Sequence, residues 1–174
     1  SMIHVAVLGY GTVGSGVVEV IEGNKALINK RALTEINVKY ILDLLDFPGD
    51  PYEDKIVHSI DVIVDDPEVS IVCETMGGVR AAYEFTKKAL SKGKSVCTSN
   101  KEMVAKYGPE MLQLAKENNC NYLFEASVGG GIPIIRPINE ALTAEKLEAI
   151  TGILNGTTNY ILTKMQNEGA NFAD

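Results

Sequence analysis

A glycine-rich turn between an apolar run and an amphipathic segment limits the fold of this chain more than any other feature. Residues 3–8 form the apolar run, and the turn that follows reads Gly9-Tyr10-Gly11-Thr12-Val13-Gly14. A strand that passes through this glycine spacing into a helix is typical of a dinucleotide-binding turn. The first glycine allows the tight turn, the second lets the backbone approach a pyrophosphate, and the third lets helix and strand pack closely. All six residues are therefore predicted to contact a dinucleotide.

The segment after the turn argues against the alternative interpretation, in which the glycines merely form a tight bend. An apolar stripe at helical spacing follows at once, made of Val13, Val17, Val18 and Ile21. A helix that begins near Thr12 would direct its amide groups and the positive end of its dipole at an anionic pyrophosphate.

Apolar runs alternate with helical segments along most of the chain. Strands are predicted at residues 3–8, 37–42, 69–73, 95–98 and 122–125, and helices at 12–28, 79–92 and 109–118. Residues 61–64 fit a further strand or a helix end, and residues 46–54 an exposed loop. The side chains predicted to face inward are Ala82, Phe85, Ala89 and Leu90 in one helix and Leu112 and Ala115 in the next. The alternation predicts an α/β fold, a Rossmann-type doubly wound parallel sheet with helices on both faces.

A change of composition near residues 128–135 predicts a domain boundary. Residues 1–130 are expected to form the dinucleotide-binding domain, and residues 131–174 the beginning of a second α+β domain for substrate binding and dimerisation, incomplete in this chain. Within the second domain we expect a helix at 134–142, a strand at 147–154 and a helix at 157–166.

Charge and cysteine content exclude several classes of function. With 16 basic and 23 acidic side chains the net charge is −7, which argues against a nucleic-acid surface. No apolar stretch approaches the roughly 20 residues that span a bilayer, and the start lacks a basic leader, so a cytoplasmic location is predicted. Cys73, Cys97 and Cys120 lie in or beside apolar runs without metal-ligand spacing, which favours buried free thiols over a redox or nucleophilic role.

An acidic residue at the tip of the second predicted strand bears on the choice of cofactor. In a dinucleotide-binding fold, an acid at this place accepts hydrogen bonds from the adenosine ribose, whereas an arginine accommodates a 2′-phosphate. Asp43 follows the strand at 37–42, so we expect NAD to be preferred over NADP. The alternative is that Asp43 is only a solvated residue at a strand end.

Three further segments carry a resemblance to a known family. They read Cys97-Thr98-Ser99-Asn100-Lys101-Glu102 at residues 97–102, EASVGGGIPII at residues 125–135 and GILNGTTNYIL at residues 152–162. Together with the glycine turn, they closely resemble homoserine dehydrogenase from Ile3 to about Phe172. The resemblance implies NAD(P)-dependent interconversion of L-homoserine and L-aspartate 4-semialdehyde in threonine and methionine biosynthesis, by a protein that forms a homodimer.

The resemblance also implies roles for individual residues. Lys101 would be catalytic and, with Ser99, contact the cofactor, and Met76 and Gly77 would pass beside the nicotinamide ribose. A lysine can donate a proton to the developing alkoxide when burial and neighbouring cations lower its pKa. Gly156 and Thr157 would belong to the homoserine site, at a turn from a strand into a helix. A monovalent cation, sodium, would be held by Glu125, Val128, Gly130 and Ile132, mostly through backbone oxygens.

Simpler interpretations stay open for each of these residues. Lys101 could be a solvated lysine that begins a helix, the glycine-rich segment at 129–131 a hinge, and Thr157 a helix cap. A second lysine of the family has no match here, so the chain is expected to bind dinucleotide but to turn over poorly. The rival functions are another aldehyde-handling Rossmann dehydrogenase, with a cysteine nucleophile, and a non-catalytic NAD(H)-binding redox sensor.

Overall fold

A parallel sheet forms the centre of the fold. The computed structural model describes residues 2–23, 31–125, 136 and 141–169. Six strands lie in this part of the chain: β1 Ile3–Leu8, β2 Ile36–Leu42, β3 Ile56–Val57, β4 Val69–Glu74, β5 Ser95–Thr98 and β6 Tyr122–Leu123. Their order in the sheet is β3-β2-β1-β4-β5-β6, and every pairing is parallel. The prediction of a Rossmann-type doubly wound sheet is confirmed.

Helices connect the strands and cover the sheet. The α-helices are α1 Thr12–Val18, α2 Arg31–Thr34, α3 Ile60–Val64, α4 Arg80–Ser91, α5 Lys101–Glu117 and α6 Ala144–Asn167. A π-helical segment, Glu19–Gly23, continues α1, and a 3₁₀ turn, Glu53–Lys55, precedes β3. None of the helices in the described residues is both long and apolar enough to cross a membrane.

The sheet separates two hydrophobic cores, because side chains alternate between the two faces of each strand. Val5 and Val7 of β1 enter the first core, which also contains apolar side chains of α1, α2 and α6. Ala6 and Leu8 of β1 enter the second core, with side chains of α3, α4 and α5. Burial on both faces explains why the strands read as nearly continuous apolar runs.

The order of the strands places one crevice at the carboxyl edge of the sheet. The chain goes from β1 outward through β2 to β3, then returns to the other side of β1 with β4 and continues to β6. The reversal lies between β1 and β4, and ligands of open α/β sheets bind at such a switch point. The residues that follow β1, β4 and β5 are therefore the ones best placed to hold a ligand.

Several predicted elements need correction. The strand expected at 147–154 is part of α6, because Leu147, Ile150 and Leu154 are buried at helical spacing and the Thr143 side chain caps the helix. The helix expected at 109–118 begins at Lys101, where the Asn100 side chain accepts a hydrogen bond from the amide of Met103.

Smaller differences concern faces and ends. Leu112 was expected to face inward but is 43% exposed, and the neighbouring Met111 is buried instead. Of the two alternatives for residues 61–64, the helix is the one found, because they belong to α3; the short strand β3 was not predicted. The helix expected at 12–28 is α-helical only to Val18. Of that segment, residues 24–28 lie outside the described residues, as do most of the helix expected at 134–142 and the boundary at 130/131.

Candidate functional site

The glycine turn has the geometry that the sequence predicts. Gly9 has a φ of 95°, a left-handed conformation that favours glycine. A Cβ atom on Gly14 would lie 1.9 Å from the carbonyl oxygen of Gly9, so helix and strand approach too closely for any side chain. A Cβ atom on Gly11 would meet nothing within 4 Å. The space at Gly11, beside the first amides of α1, fits a phosphate group that approaches the backbone.

Asp43 lies against this turn. Its carboxylate accepts hydrogen bonds from the backbone amide of Tyr10 at 2.9 Å and from that of Leu45 at 3.0 Å. A carboxylate offers about four acceptor sites, so Asp43 can still accept from a ribose hydroxyl. Two amides fix its position, which makes Asp43 an oriented acceptor rather than a freely solvated one.

The loop after β2 is tied to the turn by two aromatic side chains. The buried ring of Tyr10 packs edge-on against Phe47, with 5.0 Å between the ring centroids, and its hydroxyl donates to Asp50 at 2.8 Å. Burial and the hydrogen bond to Asp50 raise the pKa of Tyr10 well above its ordinary value. The Tyr10 side chain thus anchors the loop to the turn, and only the backbone of Tyr10 is left to contact a ligand at the turn.

His58 holds the other side of the same loop. Its Nδ1 lies 2.7 Å from the carbonyl oxygen of Asp43 and its Nε2 lies 2.6 Å from the carboxylate of Asp46. Hydrogen bonds to the Asp43 backbone and to Asp46 raise the pKa of His58. Both ring nitrogens face oxygen acceptors, so the arrangement favours the doubly protonated imidazolium.

Two residues at the end of β4 were missed by the sequence analysis. The Thr75 hydroxyl lies 2.6 Å from the carbonyl oxygen of Leu8 and 3.2 Å from that of Gly9, and donates to them. Glu74 is completely buried and accepts from the Thr98 hydroxyl at 2.9 Å and the Met76 amide at 2.7 Å. A polar pair directly after a buried apolar run was the available signal.

Lys101 lies in the turn that follows β5, the third strand whose carboxyl end borders the crevice. It is the first residue of α5, and its Nζ lies 3.9 Å from a carboxylate oxygen of Glu125. The side chain is 78% exposed, so the burial expected of this lysine from the sequence is absent from the described structure. A cavity of about 280 Å³ adjoins it, lined by Thr98, Ser99, Asn100, Lys101, Val104, Ala105, Phe124, Glu125 and Asn155.

Helix α6 brings further predicted residues to the crevice. A groove of about 1070 Å³ between α1 and α6 is lined by Tyr10 and Thr12 on one side and by Gly156 and Thr157 on the other. The Thr158 hydroxyl donates to the Ser99 side chain at 2.8 Å. The structure thus brings together the residues predicted from the glycine turn, from the Lys101 turn and from the segment at 152–162.

Comparison with known proteins gives this crevice a family. The profile described as "Homoserine dehydrogenase, NAD binding domain" matches residues 9–125, and that described as "Homoserine dehydrogenase" matches residues 133–174. The chain belongs to the homoserine dehydrogenase family. The first profile runs from the glycine turn through the Lys101 turn to Glu125 and so covers the sites at β1, β4 and β5.

Curated homoserine dehydrogenases match almost the whole chain. The protein of Bacillus subtilis is 41% identical over 173 residues, which cover 95% of this chain and 39% of the relative. That of Synechocystis is 40% identical over 98% of this chain and 40% of the relative. The chain therefore spans about 40% of the length of these relatives.

Solved homoserine dehydrogenases share the fold. The crystal structure from Thiobacillus denitrificans gives a TM-score of 0.62 at 40% identity and covers 77% of this chain and 32% of that one. A hyperthermophilic archaeal homoserine dehydrogenase in complex with NADPH gives a TM-score of 0.57 at 29% identity, over 72% of this chain and 44% of that one.

The homoserine site predicted at Gly156 and Thr157 differs from expectation. Both residues lie in the interior of α6 rather than at a turn, so their amides are taken up by the helix instead of facing a substrate. The methyl group of Thr157 would lie 2.8 Å from a Cβ atom on Gly16, which shows how closely α6 packs on α1. Their assignment to a substrate site stays a prediction.

The sodium site predicted for a homoserine dehydrogenase falls largely outside the described residues. Glu125 is half exposed beside Lys101, whereas Val128, Gly130 and Ile132 are not described. Within the described ranges, no group of three histidine, cysteine or acidic side chains is arranged to hold a metal ion.

The cysteines do not favour the rival dehydrogenase that would use a thiol nucleophile. Cys73, Cys97 and Cys120 are free and buried, as predicted. Burial raises the pKa of Cys97 and that of Cys120 to about 11 and that of Cys73 well above its ordinary value. A reactive cysteine needs a lowered pKa and access to solvent, and these thiols have neither.

Proposed function

We propose that this chain is the cofactor-binding part of an enzyme that interconverts L-homoserine and L-aspartate 4-semialdehyde with a nicotinamide dinucleotide. The observation that carries the proposal is the juxtaposition of the open turn at Gly11 with the oriented carboxylate of Asp43 at the switch point of the sheet. Membership of the homoserine dehydrogenase family supports the substrate pair.

The predicted cofactor residues divide between two sides of the crevice. Gly9, Gly11, Gly14 and Asp43 lie on the β1 and β2 side and are assigned to the pyrophosphate and adenosine ribose, with the backbone of Tyr10, Thr12 and Val13. Met76, Gly77 and Ser99 follow β4 and β5 and are assigned to the nicotinamide end. The bound dinucleotide would supply the hydride. The residues of this chain would hold the nicotinamide ring at the carboxyl edge of the sheet, next to Lys101.

We assign proton donation to Lys101. Its exposed ammonium is free to reach an oxygen of a substrate in the adjoining cavity, and the Glu125 carboxylate lies 3.9 Å away. In the oxidation of L-homoserine the same lysine would accept the proton of the substrate hydroxyl. In the full-length protein, Lys101→Ala should therefore lower kcat with L-homoserine by about 100-fold or more, the usual effect of losing a general acid–base group.

Lys106→Ala is a matched control, because Lys106 lies in the same helix and pairs with Glu102 at the surface. It should leave kcat within about twofold, as expected of an exposed ion pair. Equal activity of wild type and Lys101→Ala would refute the assignment. Absence of homoserine oxidation by the wild-type protein would refute the proposed function itself.

We further propose that NAD is preferred over NADP. A 2′-phosphate would face the Asp43 carboxylate, which the Tyr10 and Leu45 amides hold in place. The archaeal relative solved with NADPH leaves both dinucleotides as candidates. Asp43→Ala should weaken NADH binding and tighten NADPH binding, shifting the affinity ratio by about tenfold, the effect of roughly 1.4 kcal/mol.

Asp54→Ala removes the same charge from the same segment between β2 and β3, at an exposed position of the 3₁₀ turn, and serves as the control. Fluorescence titrations with NADH and NADPH should show its affinity ratio nearly unchanged. A wild-type chain that binds NADPH more tightly than NADH would overturn the preference.

The remaining assignments are proposals for the whole protein. They are a sodium ion at Glu125, Val128, Gly130 and Ile132, homoserine contacts from Gly156 and Thr157, a domain boundary at 130/131, a homodimer and a cytoplasmic location. Replacing sodium by choline should lower the Tm of the full-length protein if the ion is bound, because a ligand of the folded state stabilises it. An unchanged Tm would argue against the ion.

A further inference from the structure

A completely buried carboxyl group lies at the carboxyl edge of the sheet. Glu74 ends β4, pairs with Leu8 of β1 and Thr98 of β5, and is 0% exposed. A buried carboxyl is costly unless hydrogen bonds compensate for its lost hydration. Its hydrogen-bond partners in the described part of the chain are neutral groups. The buried carboxyl group of Glu74 therefore lowers stability, and its place beside the switch point indicates a role in ligand binding.

Glu74 joins the two turns that follow β4 and β5. One carboxylate oxygen accepts from the Thr98 hydroxyl at 2.9 Å, and the other accepts from the Met76 amide at 2.7 Å. The Thr98 hydroxyl in turn accepts from the amide of Asn100 at 2.9 Å. One side chain therefore orients the backbone of both turns.

Asn100 closes the connection. Its side-chain amide donates to the carbonyl oxygen of Gly78 at 2.6 Å and lies 3.4 Å from that of Met76. Its side-chain oxygen accepts from the Met103 amide and so caps α5, the helix that begins with Lys101. The network that starts at Glu74 thus fixes the distance between the Met76 turn and the base of Lys101.

We propose that Glu74 is a positioning residue for the nicotinamide end of the cofactor, acting through Thr98 and Asn100 on the turns that carry Met76 and Lys101. The inference rests on the proposed binding of a nicotinamide dinucleotide. It concerns one end of that ligand, because the glycine turn and Asp43 lie on the opposite side of the switch point.

The charge of Glu74 gives the network a pH dependence. Burial raises the pKa of Glu74 to about 7, against the opposing effect of its hydrogen bonds. Ionised, Glu74 accepts from both Thr98 and Met76. Protonated on the oxygen that faces Thr98, the carboxyl group donates to the Thr98 hydroxyl instead of accepting from it, and the hydrogen bonds of Glu74 lose their charge assistance. The network is therefore tighter above about pH 7 than below it.

Other titratable groups lie on the elements that pack around Glu74. Tyr122 of β6 interacts electrostatically with Glu74, and burial raises its pKa well above the ordinary value, so it stays neutral. The charged groups on the cavity side are Lys101 and Glu125, which line the same cavity as Thr98.

The experiment compares two ligands that differ only in the nicotinamide ring, which ADP-ribose lacks. NADH is titrated by fluorescence and ADP-ribose by calorimetry. The affinity for NADH divided by the affinity for ADP-ribose isolates the contribution of the nicotinamide end. Thr98→Val should lower this ratio about tenfold at pH 8, the effect expected for loss of a hydrogen bond to a charged group. Thr86→Val is the matched control, because the Thr86 hydroxyl is buried without a hydrogen-bond partner in the described structure. It should leave the ratio unchanged.

Glu74→Gln keeps the shape of the side chain and removes its titration. In the wild-type chain the ratio should rise between pH 6 and pH 8, and in Glu74→Gln it should be flat. This profile tests the proposal even where Thr98→Val fails to fold.

The outcomes separate the inference from the proposed function. If the wild-type chain binds both ligands but its ratio is the same in all variants and at both pH values, the role of Glu74 is wrong and cofactor binding stands. Equal losses for both ligands would show a purely structural role and overturn it as well. A wild-type chain that binds neither ligand would overturn the proposed function and this inference together.

Discussion

The three glycines of the turn have different physical roles at the scale of single residues. Gly9 adopts a φ that other residues avoid, Gly14 has no room for a Cβ atom, and Gly11 has open space around it. Glycine is thus required at Gly9 for the backbone conformation, at Gly14 for close packing of helix and strand, and at Gly11 for access of a ligand to the backbone. Substitution by alanine should separate packing from access.

Gly14→Ala should destabilise the fold, because its methyl group would lie 1.9 Å from the carbonyl oxygen of Gly9. We expect a loss of at least about 2 kcal/mol in the free energy of unfolding, measured with urea. Gly11→Ala should cost less than about 1 kcal/mol, since the position is a helix N-cap with ordinary φ.

For ligand binding by the folded molecules, Gly11→Ala should have the larger effect and Gly14→Ala the smaller one. Gly11→Ala fills the space assigned to the pyrophosphate, and the Kd for NADH should rise about tenfold or more, equivalent to roughly 1.4 kcal/mol. A Gly14→Ala chain as stable as the wild type would contradict the close contact. A Gly11→Ala chain with unchanged Kd would contradict the assignment of that space.

At the scale of elements, the sequence allowed the sheet to be predicted far better than α6. The strands that form the middle of the sheet are buried on both faces and bounded by turns, so each leaves a local pattern. Residues 147–154 also alternate, but their burial follows the spacing of Leu147, Ile150 and Leu154. Alternation and helical spacing overlap in so short a segment, and packing against α1 decides between them.

The candidate site was predictable to the extent that it depends on local spacing. Gly9 and Asp43 directly follow strands, so their places in the fold could be predicted from the sequence, whereas their contacts with a ligand stay predictions. Thr75 and Glu74 could not be assigned, because their roles come from contacts with Leu8 and Thr98, which are distant along the chain. These contacts depend on the order of the strands in the sheet, which no local sequence pattern indicates.

Helix α6 should stabilise the whole described fold through its buried face. Leu147 is completely buried in the first core, whereas Leu162 of the same helix is 55% exposed. Leu147→Ala should therefore lower the free energy of unfolding by about 2–4 kcal/mol, and Leu162→Ala by less than about 0.5 kcal/mol. Urea denaturation of both variants measures this. Equal stability of the two would mean that α6 does not pack on the first core.

On the scale of the whole molecule, the two cores share every central strand. Val5 and Val7 serve one core and Ala6 and Leu8 the other, so one face cannot lose its strands while the other keeps them. We therefore expect the sheet to open as one cooperative unit. Ligand binding at its carboxyl edge should then protect both cores equally.

The cysteines make this expectation measurable, because Cys73 lies in the first core and Cys120 in the second. Both are buried, so a thiol reagent reaches them only when the sheet opens. With NADH at 100 times its Kd, labelling of both should slow by about 100-fold, since the ligand binds only the folded state. Mass spectrometry of labelled peptides reports each cysteine separately. Protection of Cys73 without protection of Cys120 would show that the two faces open independently and that the crevice stabilises only one of them.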